Sequence, residues 1–232
     1  VTKEIQQVYQ QFPDNIRHNV GMYLGSTADP AVAWREVFDN AVDECISGRN
    51  DSVSSVISDE FFMVKDNGRG LPLYTDRSVK GDPIPAAVGI FTRIHYGSKS
   101  VDNQEATGGT HGVGVAAVNA TSSSLTAVVN LNRFSDGKRK LDKAFNIEDD
   151  YAVIKFKRGK LTLAASYKAD KIQDIGIDPN SLGQDFGTIV IVEPDPEIWQ
   201  STKPVIDQII PALNKSALVA RNIEADLMIN GQ

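Results

Sequence analysis

Three stretches of this chain carry side chains whose types and spacing can do chemistry. The first is Trp34-Arg35-Glu36-Val37-Phe38-Asp39-Asn40-Ala41-Val42-Asp43-Glu44-Cys45. Wound as a helix of about 3.6 residues per turn, it puts Trp34, Phe38, Ala41, Val42 and Cys45 on one apolar face and Glu36, Asn40 and Asp43 on the other. That polar face reads in two ways. It is a solvated surface, or it is a catalytic carboxylate with a metal-binding amide one turn on. Glu36 can deprotonate or orient a water, and the Asn40 carbonyl oxygen is a hard ligand suited to Mg²⁺. The helix alone leaves both readings open.

The second stretch, Asp66-Asn67-Gly68-Arg69-Gly70-Leu71-Pro72, follows an apolar strand. It reads as a strand-ending turn, or as a recognition site in which Asp66, between Val64 and Leu71, accepts a hydrogen bond from an exocyclic amine such as that of adenine. An acceptor placed this way discriminates strongly, because the wrong base leaves the buried group unpaired. The third, Gly108-Gly109-Thr110-His111-Gly112-Val113-Gly114, precedes a small-residue helix read over 112–120. It is a flexible loop, or a run of bare N–H groups approaching an anion closely. The P-loop pattern is absent. Gly112-Val113-Gly114-Val115-Ala116-Ala117 matches the dinucleotide fingerprint, with Asp136 some way downstream. No strand enters it, however, and Asp136 falls in the turn-like Ser135-Asp136-Gly137, so that match is weak.

The elements that must position these residues follow from periodicity and turn chemistry. Residues 3–12 read as a short helix broken by Pro13-Asp14-Asn15, and Gly21–Ser26 as a loop bounded by glycines. Pro30 opens a helix running to about Gly48. Strands are expected at Ser52–Ser58, Phe61–Lys65, Leu125–Leu131, Lys138–Phe145, Ala152–Lys157, Leu161–Tyr167, Thr188–Glu193 and Asp226–Ile229. Helices are expected at Ala86–Tyr96 and over 203–219, the last with Pro211 as a kink. Helices, then strands, then a helix suit an α/β fold: a two-layer sandwich of a mixed, mainly antiparallel sheet covered by helices.

Composition narrows the classes. The 232 residues are 41% hydrophobic and 23% charged, and 24 basic against 30 acidic side chains leave a net charge of −6. This is a globular composition, and its acidity argues against a dedicated grip on a phosphate backbone. The lone Cys45 excludes an internal disulfide. No apolar run nears the roughly 20 residues of a membrane span, and no signal peptide opens the chain. The expected setting is the cytoplasm, without a membrane.

Four blocks coincide in order: Gly21-Met22-Tyr23-Leu24-Gly25-Ser26, Glu36 through Glu44, Asp66 through Pro72, and Gly108 through Val115. With them the sequence resembles the N-terminal ATPase domain of type IIA DNA topoisomerases, of the bacterial gyrase B and topoisomerase IV E subunit type. The wider superfamily joins gyrase, the heat-shock chaperone, histidine kinases and MutL, and shares the Bergerat-type ATP-binding fold. The resemblance spans about residues 16–230 and includes Gly187-Thr188-Ile189-Val190 as a late strand start.

The resemblance implies a set of roles. ATP and Mg²⁺ are the ligands. Glu36 is the general base toward the water that attacks the γ-phosphate, and Asn40 is the metal ligand beside the phosphates. Asp66 reads adenine, supported by Thr188 through a shared water. Gly109, Thr110, His111, Gly112, Val113, Gly114 and Val115 wrap the triphosphate, with Lys99 a basic lid residue nearby. Val37, Val64, Leu71, Ile90 and Val190 form the apolar walls, and Arg69 packs below the base. His95 reads as a packing residue and His18 as exposed. The chain is then a single ATP-binding domain, with residues 1–15 as an arm and 73–111 as the lid region; the transducer and DNA-cleavage domains of the family are absent from it. Partners implied are DNA through the full-length enzyme, a DNA-cleaving subunit or domain, and a second copy on ATP binding. The chain departs from the family at Val32, where a histidine usually stands four residues before the glutamate, and at Ile16-Arg17-His18-Asn19-Val20, usually a more basic run. A MutL- or chaperone-type clamp and a nucleotide-binding regulatory module with little turnover are the alternative readings.

Overall fold

The computed structural model describes residues 12–46, 52–77, 83–94, 96, 112–134, 141–183, 185–219 and 224–229. In chain order the helices are α1 (Asp14–His18), α2 (Val20–Leu24), α3 (Ala31–Ile46), α4 (Ala86–Thr92), α5 (Gly114–Ala120), α6 (Pro179–Leu182) and α7 (Ile206–Val219). The strands are β1 (Ser52–Ile57), β2 (Phe62–Asp66), β3 (Thr75–Asp76), β4 (Ile84–Pro85), β5 (Ser122–Asn130), β6 (Tyr151–Lys157), β7 (Lys160–Tyr167), β8 (Thr188–Pro194) and β9 (Glu224–Ile229). Among the described residues seven strands form one sheet in the order β7-β6-β5-β8-β2-β1-β9, and β3 pairs with β4 alone. Every pairing in the large sheet is antiparallel except β1 with β9. The expected mixed, mainly antiparallel sheet is therefore the observed one.

Strand alternation sorts side chains between two layers. One face carries Val53, Ile57, Phe62, Val64, Leu125, Ala127, Val129, Ile154, Val190 and Val192, which form the main core with α3 and α5. Trp34 and Phe38 stack there at 4.7 Å, and the Trp34 indole N–H donates to the buried Ser55 hydroxyl at 2.8 Å. The opposite face carries Val128, Val153 and Ile189 beneath Ile172, Ile177, Leu182 and Phe186. Asp29 ties α3 to α7: its carboxylate accepts the Ala31 N–H at 2.8 Å and the Gln208 side-chain amide at 2.8 Å. The β6–β7 hairpin closes in two residues, Arg158 and Gly159, both at positive φ (49° and 81°), which suits a twisted two-residue turn.

Several elements differ from the sequence expectation. Asp14 and Asn15, expected to break the chain with Pro13, open a helix instead, and 21–24, expected as part of a loop, is helical. Gly25, at φ +78°, stops that turn by returning its N–H to the Gly21 carbonyl. Within Ala86–Tyr96 the helix ends at Thr92, because Arg93 is extended and Tyr96 folds back over the helix. A Cβ on Gly89 would fall 2.5 Å from the Tyr96 ring, and the Tyr96 hydroxyl donates to the buried Asp76. The small-residue helix begins at Gly114, not Gly112. The described part of the Lys138–Phe145 strand, 141–145, is a turn. Asp142 there accepts the Ala144 N–H and the Thr75 hydroxyl, and its own N–H donates to Leu73 O. The expected helix over 203–219 starts at Ile206 and runs through Pro211. The helix read over 3–12 and the Ser135-Asp136-Gly137 turn lie outside the described residues.

Candidate functional site

α3 is the spine of the site, packing on β2 on one side and on α5 on the other. Its buried stripe of Trp34, Val37, Phe38, Ala41 and Val42 fixes its rotation, so Glu36 and Asn40 turn outward. Glu36 reaches α5. A Cβ on Gly114 would stand 1.7 Å from the Glu36 Oε2 atom, so the carboxylate lies over the start of that helix in space a side chain would take. The residue as a whole is exposed, yet its carboxyl is raised above the usual range. Lost hydration is the first cause and the Asp39 charge the second, with Arg35 opposing. One turn on, Asn40 donates its Nδ2 to the Glu36 backbone carbonyl at 2.8 Å. The other amide atom, Oδ1, is a hard oxygen donor.

Asp66 ends β2 and pairs in register with Thr188, the first residue of β8. Its carboxylate accepts the Gly68 N–H at 2.8 Å and bonds from the Thr188 N–H and hydroxyl. Its backbone carbonyl accepts the Gly187 N–H at 2.7 Å. Burial pushes the Asp66 carboxyl up to about 6; the Gly68 bond opposes this, the Glu44 charge adds to it, and the Thr188 bonds oppose it again. A Cβ on Gly187 would meet Gly68 O at 2.0 Å, so β8 begins in direct contact with the glycine turn. Arg69, in that turn, pairs with Glu44 through Nε to Oε2 at 3.2 Å. Val64 and Val190 are buried beside it and Leu71 is half-buried against the same core.

The structure thus gathers two groups. Glu36, Asn40 and Gly114 meet at one end, and Asp66, Arg69 and Thr188 at the other. Glu36 and Glu44, two turns apart on α3 and about 12 Å along its axis, connect them. Gly112 (φ +59°), Val113 and Val115 flank Gly114, and Ile90 is half-buried on α4. Lys99, Gly109, Thr110, His111 and His95 lie outside the described residues. His18 is exposed, its ring bonded to Asp14 O. Sequence reasoning assigned nothing to Glu44, although its place two turns past Glu36 was a usable signal. A shallow groove lined by Arg17, His18, Met22, Thr27 and Glu197 contains none of these site residues.

A mixed sheet under helices, with glycine turns at both ends of one acidic helix, is the framework of the gyrase–chaperone–histidine kinase–MutL class. Within that class the chain is homologous to the N-terminal region of topoisomerase IV and gyrase B subunits over about nine-tenths of its length. It is 34% identical over 221 residues to the DNA topoisomerase 4 B subunit of Streptococcus pneumoniae, covering 92% of this chain and 29% of the relative. Against the corresponding topoisomerase 4 protein from Staphylococcus epidermidis it is 32% identical over 217 residues, 91% of this chain and 28% of the relative. The DNA gyrase B protein of Helicobacter pylori is 38% identical over 120 residues, 50% of this chain and 15% of that protein. The chain therefore spans under a third of these relatives. No family model matches it.

Proposed function

We propose that this chain is the ATP-binding and hydrolysing domain of a type II DNA topoisomerase. In such an enzyme ATP closes a homodimer that passes one DNA duplex through another, together with a DNA-cleaving subunit. The observation that carries the reading is the span of α3. One helix brings a carboxylate against the glycine that opens α5 and, two turns on, braces the turn that holds a half-buried acceptor.

Each end has its task. The ionised Asp66 accepts the exocyclic amine of adenine, with Thr188 holding the carboxylate in place, and a base without that amine strands it. Gly112 and Gly114 let backbone come close to the triphosphate. Glu36 holds and deprotonates the water aimed at the γ-phosphate; its raised affinity for a proton suits it to receive one. With its Nδ2 bonded to the Glu36 backbone carbonyl, Asn40 has Oδ1 as the hard oxygen that would hold Mg²⁺. When bound there the ion neutralises phosphate charge. Val32 is half-buried against the main core and supplies no polar group to Glu36, whose carboxylate instead lies against Gly114.

Calorimetry with a non-hydrolysable ATP analogue, with and without Mg²⁺, tests the binding half. The native chain is expected to bind, more tightly with Mg²⁺, and Asp66→Asn to bind about 100-fold more weakly or worse. Turnover tests the other half: Glu36→Ala is expected to bind the analogue normally and lose about 100-fold or more in hydrolysis. Equal turnover in both proteins removes Glu36 as the base.

A further inference from the structure

Several bonds from other elements converge on the C-terminal end of the seven-residue α5. The Arg17 guanidinium, from α1, donates through Nη1 to the Ala120 carbonyl at 2.9 Å and through Nη2 to Asp195 at 2.8 Å. Asp195 is fully buried and also pairs with Arg158 at 3.0 Å. Its N–H donates to Thr121 O, which the Trp199 indole N–H reaches as well. Asn119 donates to Phe91 O, fastening the same helix to α4. At its other end α5 presents Gly114 to the Glu36 carboxylate.

A structural ion pair explains only part of this. Arg158 by itself gives the Asp195 carboxylate a cationic partner, and it touches that partner through an exposed hairpin. What Arg17 adds is a bond to an atom of α5 itself. The helix is about 10 Å long and its Ala116, Ala117, Val118 and Ala120 are buried, so it moves as one body and a shift at one end carries to the other. A cation at the last carbonyls is also favoured by the helix dipole.

We propose that Arg17, oriented by Asp195, is a positioning residue for Glu36: it sets the seat of α5 and so the place where Gly114 leaves room for the carboxylate. This rests on the reading of Glu36 as the base. Arg17 lies apart from Glu36, Asn40 and Asp66 in its contacts, which run to Ala120, Asp195 and Glu197, and acts through α5.

The test compares the full chain with Arg17→Met, Arg158→Met and the pair Arg17→Met/Asp195→Asn, which also removes the carboxylate that the single change leaves to Arg158 alone. Thermal stability, adenosine affinity and ATP turnover per bound nucleotide are measured well below each melting point. Expected for Arg17→Met and for the pair is turnover lower by about 10- to 100-fold, with adenosine affinity within about twofold. Arg158→Met is expected to lose stability and keep its turnover. A merely structural Arg17 would lower the melting point and leave turnover per bound nucleotide intact, which overturns the proposal; so would an equal loss in Arg158→Met. A native chain that binds no ATP overturns the proposed function itself. One that binds ATP without turning it over removes Glu36 as the base and this inference with it.

Discussion

At the scale of single residues, Asp66 shows how one carboxyl carries both recognition and pH sensitivity. Burial holds its proton up to about pH 6, and only the ionised form is a pure acceptor. Nucleotide affinity is therefore expected to be level above about pH 6 and to fall roughly tenfold per unit below it, with Asp66→Asn showing no such limb in a calorimetric pH series. Stability runs the other way. An acid whose folded value is raised favours the folded state below its ordinary value of 3.8 and loses that contribution as pH climbs through about 6. Between pH 4 and pH 7 the native protein should thus lose up to about 3 kcal/mol relative to Asp66→Asn, read from denaturant unfolding at each pH. The position of Asp66 at a strand end was legible, because an apolar strand met a glycine turn. Its partner Thr188 was reached only through the family resemblance, because it arrives from a distant strand through sheet register. The contact of Glu36 with Gly114 was equally hidden: periodicity gives the face of a helix, never what lies opposite it.

At the scale of elements, legibility followed how local the cause was. α3 could be read from its stripe, and the strands from their alternation. The short α2 could not, because Gly21 and Gly25 look like loop punctuation and only the second acts as a stop. The expected strand at Lys138–Phe145 failed for the opposite reason. Its described part is governed by Asp142, whose bonds run to Thr75 and Leu73 far up the chain. α7 offers an element-level prediction. Pro211 sits inside it with an exposed side chain, lacking the N–H that would reach Asp207 O. Burial of Ile209 and Ala212 keeps the helix formed in spite of it. Pro211→Ala is expected to stabilise the protein by about 1–3 kcal/mol, measured by thermal unfolding, with nucleotide affinity unchanged.

At the scale of the whole molecule, the sheet separates two layers with different duties. The helix layer carries the site, while the opposite layer under Ile172, Ile177, Leu182 and Phe186 contributes packing. Ile172→Ala, at a fully buried position in that second layer, is expected to cost about 2–5 kcal/mol in denaturant unfolding. ATP-analogue affinity should stay as it was. A parallel loss of affinity would show that the two faces are coupled through the strands.

The spine itself imposes a rule on how this site can vary. Glu36 and Glu44 belong to one unbroken helix, so the interval between the two ends comes only in whole residues. Inserting one residue between them would swing everything beyond it through about 100° and carry Glu44 off Arg69. The family of sequences that keeps this arrangement is thereby free to exchange side chains along the ruler, and barred from adding or removing a mark.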